Sequence, residues 1–118
     1  MENLPIGAKI YPDQLWGQVL NRPQSTKKGA LFLDRDGVII EDTNYLHRPE
    51  DVVLINGAAK VLAKANQLAV PVIIVTNQAG IARGKFGWEE FIAVQDRIIK
   101  TLNDHGAFLN AVFACPHH

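Results

Sequence analysis

The stretch Ala30-Leu31-Phe32-Leu33-Asp34-Arg35-Asp36-Gly37 runs an uninterrupted apolar segment straight into two carboxylates and a glycine. Apolar residues in succession, without polar alternation, read as a short strand buried on both faces, the kind found inside a parallel sheet. The strand stops at Asp34. Side chains alternate along extended backbone, so Asp34 and Asp36 present their carboxylates to the same side, within a few ångströms of each other.

The flanking sequence supplies partners for that strand. Val70-Pro71-Val72-Ile73-Ile74-Val75 is β-branched, carries its proline near the start where a missing N–H is tolerated, and ends at Thr76-Asn77. Between the two strands, Ala58, Val61, Leu62 and Ala65 have helical spacing, which predicts a helix from about Gly57 to Gln67 with Asn56 as its cap. A loop with Gly80, Gly84 and Gly87 leads to a second helix from about Trp88 to His105. Phe91, Val94, Ile98 and Leu102 form its apolar stripe, Glu89 and Glu90 suit its N-terminus, and Gly106 suits its C-terminal end. Phe108 to Ala114 reads as a third strand. This order predicts right-handed crossovers and an α/β fold, a parallel sheet of about three strands with helices on its faces. In such sheets the working groups lie beyond the carboxyl ends of the strands. The polar clusters fall there: Asp34 and Asp36, then Thr76-Asn77-Gln78, then Cys115-Pro116-His117-His118.

Composition narrows the rest. The 118 residues, 47% hydrophobic and 20% charged, describe one ordinary globular domain and exclude a collagen, a coiled coil or a disulfide scaffold. Twelve basic against twelve acidic residues leave no net field to attract nucleic acid or an acidic membrane surface, so neither is expected as a partner. The longest apolar run, Leu68 to Val75, falls far short of the roughly 20 residues of a membrane span, and Met1 to Gly7 shows no secretory signal. A single Cys makes a reducing, cytoplasmic setting the natural expectation. Residues 1–28 read as a loosely ordered N-terminal extension, in which Leu15, Trp16, Val19 and Leu20 have the spacing of one amphipathic helical turn. Residues 29–118 form the domain.

Two carboxylates at a strand end suit a hard divalent cation such as Mg²⁺, and they also offer a nucleophile beside an acid/base group. A calcium loop starting at Asp34 fails, because its required glycine position holds Ile39. A plain Asp-Gly turn is the bland alternative. Thr76-Asn77-Gln78-Ala79-Gly80 brings a hydroxyl, two amides and a flexible backbone to the next strand end, equipment for phosphate oxygens or simply a turn.

Together, Phe32-Leu33-Asp34-Arg35-Asp36-Gly37-Val38 and Val75-Thr76-Asn77 resemble the first and second motifs of the haloacid dehalogenase (HAD) superfamily of phosphohydrolases. The run from Asp34 to Asp42, the stretch Val75 to Phe86 and the closing Cys115-Pro116-His117-His118 look like the branch that holds heptose bisphosphate and histidinol-phosphate phosphatases. The resemblance covers about Ala30 to His118. It implies a Rossmann-like three-layer α/β/α fold, of which this chain holds the N-terminal part, and Mg²⁺-dependent hydrolysis of a sugar phosphate through an aspartyl phosphate. By this resemblance Asp34 would be the nucleophile and Asp36 the acid/base, with both at the Mg²⁺. Thr76 would hold the transferring phosphoryl group, with Arg35, Asn77, Gln78 and Ala79 completing the substrate cradle. Asp42, Thr43, Asn44 and Tyr45 would cover the site, and Arg83 and Lys85 lie near enough in sequence to meet a second phosphate. Cys115 with His117, or alternatively His118, would begin a structural Zn²⁺ loop. The family implies a monomer.

The pattern also departs from the family. The second half of the zinc loop, a basic third motif and an acidic fourth motif have no counterpart before His118. The expectation is that these 118 residues by themselves turn over poorly, and that Ala30 to Leu33 form an open apolar edge able to pair with another chain. Two alternatives stand beside the sugar phosphatase: a histidinol-phosphate phosphatase, and an inactive HAD-like chain that binds a phosphorylated metabolite or a partner.

Overall fold

The apolar runs that end at Leu33 and Val75 become neighbouring strands of one sheet, whereas the run at 52–55 does not. A computed structural model describes residues 4–12, 14–22 and 29–117. The elements are β1 (Ala8–Ile10), β2 (Trp16–Val19), β3 (Leu31–Leu33), α1 (Ala58–Gln67), β4 (Val72–Asn77), α2 (Ala79–Ala82), α3 (Trp88–Asp104) and β5 (Ala111–Cys115), with a 3₁₀ turn at Pro49–Asp51. The sheet order is β1-β2-β5-β4-β3. β3, β4 and β5 are parallel, with Leu31 opposite Val72 and Ile73 opposite Ala111. β1 and β2 join antiparallel at the β5 side, so the sheet is mixed rather than parallel throughout.

β3, β4 and β5 step in one direction across the sheet, and successive right-handed crossovers in one direction place both connecting helices on the same face. Leu62 of α1 and Val94, Ile98 and Leu102 of α3 accordingly share one core with Val72, Ile74 and Val112. Residues of the opposite parity look the other way: Phe32 is 63% and Val75 52% exposed. Among the described residues the fold therefore supplies two layers, helices and sheet, and β3 stands at an open edge, as the sequence leads one to expect. Phe32→Lys should lower light scattering at high protein concentration while leaving stability within about 0.5 kcal/mol, because it places a charge on an open strand without touching the core.

The long helix forms as its pattern requires. Phe91, Val94, Ile98 and Leu102 are buried, the Gly87 N–H donates to Glu90 Oε1, and at the far end Gly106 N–H and Ala107 N–H donate to Asn103 and Leu102 carbonyls. α1 departs in two details. Gly57, not Asn56, occupies its N-cap, and Val61 faces outward. Ala79–Ala82, read as loop, closes into one helical turn.

The largest correction concerns the N-terminus. Trp16–Val19 is a strand, not an amphipathic helical turn, and Trp16, Gly17 and Gln18 are buried. Its partner β5 would otherwise expose a row of backbone donors and acceptors, and a second strand satisfies them. The described part of residues 1–28 is thus integrated into the sheet. Trp16 stacks on Trp88 at 5.6 Å between ring centroids and meets Phe91 edge-on at 5.5 Å. The polar run Gln24 to Lys28 and His118 lie outside the described residues. Among the described residues no helix is long and apolar enough to cross a membrane.

Candidate active site

The carboxyl ends of β3 and β4 lie side by side, and one cavity of about 290 Å³ opens over them. Asp34 and Asp36 line it from the end of β3, Asn77, Gln78 and Ala79 from the end of β4, and Asp42, Asn44 and Tyr45 from the loop between β3 and α1. No Lys or Arg is among the residues of its wall.

Local backbone chemistry explains this convergence. After Asp36 the chain must reverse, and Gly37 does so at φ 85°, where a side chain would be strained. The Arg35 carbonyl then accepts from the Val38, Ile39 and Ile40 N–H groups, and the following buried pair Ile39 and Ile40 anchors the turn in the core. In the covering loop Asp42 Oδ1 accepts from the Asn44 N–H at 3.1 Å, and Asn44 and Tyr45 both take positive φ. On the β4 side the Gln78 N–H donates to the Cys115 carbonyl at 2.7 Å, which ties the end of β4 to that of β5. Gly80 lies beneath Tyr45: an added Cβ would overlap a Phe86 ring carbon and come within 2.8 Å of Tyr45. Gly80→Ala should therefore destabilise by about 1–3 kcal/mol and displace Tyr45, a change read as a lower melting temperature and altered tyrosine fluorescence.

The three expected residues that are absent from the wall have clear positions. Arg35 is buried, because the alternation that pairs Asp34 with Asp36 sends its side chain inward. Its Nε and Nη2 donate to Asp36 Oδ1 and Oδ2 at 3.2 and 3.3 Å. Burial lowers the guanidinium's proton affinity, opposed by the charge and hydrogen bond of Asp36 and the charge of Asp34. Thr76 is buried as well, and its Oγ1 accepts from Gln78 Nε2 at 2.9 Å; the same nitrogen donates to Asp36 Oδ2 at 2.9 Å. Thr43 is exposed outside the wall. Arg83 Nη1 donates to Tyr45 Oη at 2.9 Å, and Lys85 Nζ lies 5.9 Å from the same ring's centroid, so both cations gather at Tyr45. Gln95 was not singled out from the sequence, although a polar residue one turn after Phe91 on an apolar stripe was a legible signal. It is buried on α3, and its Oε1 accepts from Arg35 Nη1 at 3.5 Å.

The zinc expectation finds no support. Cys115 is half-buried at the end of β5, His117 is exposed, and among the described residues no group of three or more His, Cys, Asp or Glu converges as a metal site. Two potential ligands, separated by Pro116, do not make the four-ligand set that structural zinc needs.

No family model matches the chain. Its sequence is nonetheless 42% identical over 113 residues to a D-glycero-beta-D-manno-heptose-1,7-bisphosphate 7-phosphatase of Mesorhizobium japonicum, an alignment that covers 96% of this chain and 46% of the relative. A phosphatase with the same description from Vibrio cholerae is 41% identical over 77% of this chain and 49% of its own length. The fold is similar to that of a Mesorhizobium loti protein described as a HAD-like phosphatase, with a TM-score of 0.84 and 43% identity over 88% of this chain and 50% of that one. In sequence and fold the chain is similar to HAD-like phosphatases. Within them its likeness is to the heptose bisphosphate phosphatases. One of these, from B. bronchiseptica and complexed with magnesium and phosphate, aligns with a TM-score of 0.72 and 32% identity, covering 77% of this chain and 51% of its own. The chain spans about half the length of the curated relatives it matches.

Proposed function

We propose that this chain carries the phosphoryl-transfer carboxylates of a Mg²⁺-dependent sugar phosphate phosphatase, with D-glycero-D-manno-heptose 1,7-bisphosphate as the substrate its relatives suggest. The observation that carries the reading is the cavity itself: Asp34 and Asp36 meet the amides of Asn77 and Gln78 there, with no cation in the wall.

Such a wall repels a phosphate dianion, and oxygen donors without a lysine or arginine suit a hard cation. Mg²⁺ characteristically uses one or two carboxylates, keeps several waters and takes substrate phosphate oxygens for the remainder, which two carboxylates satisfy without a third. Asp34 and Asp36 would hold it, and the ion supplies the positive charge that lets a dianion approach a carboxylate. A free oxygen of Asp34 attacks phosphorus in line and forms an aspartyl phosphate as the bond to the sugar oxygen breaks. Asp36 gives that oxygen a proton, then takes one from the water that hydrolyses the aspartyl phosphate. Asn77 presents an amide donor to the phosphoryl oxygens, whereas Gln78, whose Nε2 donates to Asp36 and Thr76 and whose backbone N–H donates to Cys115, holds the carboxylate in the wall. The single cysteine fits a reducing, cytoplasmic setting.

The test is phosphate release from heptose bisphosphate by protein expressed from the intact gene. Turnover should vanish in EDTA and return with Mg²⁺. Absence of release with Mg²⁺ present would overturn the reading, and preference for histidinol phosphate would move the substrate to an amino alcohol phosphate. The 118 residues alone should be far slower, because their cavity wall supplies no cation to balance the transferring group.

A further inference from the structure

Tyr45 is a fixed post in the cavity wall. Asn44 and Tyr45 both take left-handed backbone, at φ 56° and 60°, a conformation that is costly for a residue with a side chain and persists where surrounding contacts enforce it. Three contacts do so here. The ring packs where a side chain at Gly80 would stand, and its Oη accepts from Arg83 Nη1 at 2.9 Å. Two residues on, His47 stacks on Phe86 with 6.4 Å between ring centroids. The covering loop is thereby joined to the segment that carries Arg83 and Lys85, and Lys85 Nζ lies 5.9 Å from the centroid of the Tyr45 ring.

The charge at this post is unanswered. Arg83 and Lys85 are exposed, and among the described residues neither forms an ion pair with a carboxylate. Cations gathered at one neutral side chain repel each other, and a phenol oxygen and a ring face offset only part of that cost. Arg83 gives one of its five donors to Tyr45 and keeps the others for a further acceptor. The placement complements the cavity, whose wall holds Asp34, Asp36 and Asp42 but no Lys or Arg. A group that enters beside these carboxylates and protrudes past Tyr45 meets positive charge there and nowhere in the wall itself.

We propose, on the phosphatase reading above, that Arg83 and Lys85, gathered on Tyr45, form a second anion subsite that takes the phosphate not being cleaved, so that the site selects doubly over singly phosphorylated sugars. For a heptose 1,7-bisphosphate cleaved at position 7, the retained group is the 1-phosphate. The guanidinium fork matches two phosphate oxygens, and the ammonium adds a point charge beside it. The retained phosphate takes no part in bond breaking, so its contacts act on KM more than on kcat.

The experiment uses the intact-gene protein with Arg83→Gln and Lys85→Met, and compares kcat/KM on heptose 1,7-bisphosphate and on heptose 7-phosphate with Mg²⁺ present. The ratio of the two constants should fall about 30-fold in Arg83→Gln, the scale of a charge-assisted hydrogen bond, through a higher KM for the bisphosphate. A fall of about fivefold is expected in Lys85→Met, as for an exposed point charge. A ratio that keeps the parent's value in both variants overturns the proposal, because a merely structural role at Tyr45 slows both substrates alike. A parent that prefers the monophosphate overturns it as well. If the parent cleaves neither sugar phosphate, the phosphatase reading fails instead, and calorimetric titration of the same protein with heptose bisphosphate judges the subsite. Binding weakened about 30-fold in Arg83→Gln upholds it. Equal binding by both proteins, or none by the parent, overturns it.

Discussion

Asp34→Asn should abolish the aspartyl phosphate and reduce turnover by on the order of 10⁴-fold or more, the scale seen when a covalent nucleophile is removed. The substitution is nearly isosteric, and Asp34 is exposed at the end of β3, its Oδ1 accepting from the Arg35 N–H at 2.7 Å, a backbone bond that an asparagine oxygen also accepts. Stability should therefore change by less than about 1 kcal/mol, which separates a chemical defect from a folding one. The measurement is a phosphoprotein trap: brief exposure of the intact-gene protein to substrate and Mg²⁺, acid quench, borohydride reduction and peptide mapping. Label at Asp34 in the parent and none in Asp34→Asn is the expected result. Label at Asp36 instead would exchange the two roles, and unchanged turnover in Asp34→Asn would remove the nucleophile from β3. Asp36→Asn should behave differently, with phosphate binding retained and turnover lost, because in the proposed mechanism this carboxylate would move protons and would not bond to phosphorus.

The second large effect is on stability. Trp16→Ala should cost about 3–5 kcal/mol, as large aromatic truncations in a packed core do. Trp16 is fully buried, and it closes a cluster with Phe86, Phe91 and Ala114 against which Tyr45 and Trp88 pack. One term works the other way. Trp16 Nε1 is buried without a hydrogen-bond partner, a penalty of about 1–3 kcal/mol that vanishes with the indole. Burial of the ring is worth more than the orphaned N–H costs, so the net effect remains destabilising. Trp16→Phe distinguishes the two terms: it keeps an aromatic ring, drops the orphan and should stay within about 1.5 kcal/mol of the parent. Thermal unfolding by circular dichroism checks both, with a fall of roughly 10–20 °C expected for alanine. A melting temperature unmoved by Trp16→Ala would mean that β1 and β2 are appended to the domain without supporting it. The same cluster reaches Phe91, which lies under Arg35, so loss of Trp16 should also loosen the support of Asp36.

Residue order alone made these strands, the long helix and the carboxylate pair readable. Ala30 to Leu33 and Val70 to Val75 are apolar without alternation and do form strands, but burial on both faces was not borne out: β3 is an edge strand, and Phe32 and Val75 face outward. Asp34 and Asp36 follow from the two-residue period of extended chain. Phe91, Val94, Ile98 and Leu102 announce α3 because about three turns of apolar stripe exceed what chance spacing provides. The amides of Asn77 and Gln78 were legible by position, since the end of a parallel strand is where such sheets bind. Trp16–Val19 was not legible, because a four-residue segment is too short to hold a period and its spacing fits a helical turn as well as a strand. The open edge of β5 made the choice, by offering backbone groups that a strand pairs and a helix leaves bare.

By itself, then, the sequence determined which segments of the domain are apolar, in what order strand and helix alternate from Ala30 onward, and which carboxylates share a side, because these are properties of neighbours along the chain. The tertiary structure decided the direction of Arg35, the bond from Gln78 to both Thr76 and Asp36, and the contact of Gln95 with a cation 60 residues away. Those depend on which faces meet when α3 packs on the sheet, and a buried charge takes its orientation from whatever partner that packing brings within reach.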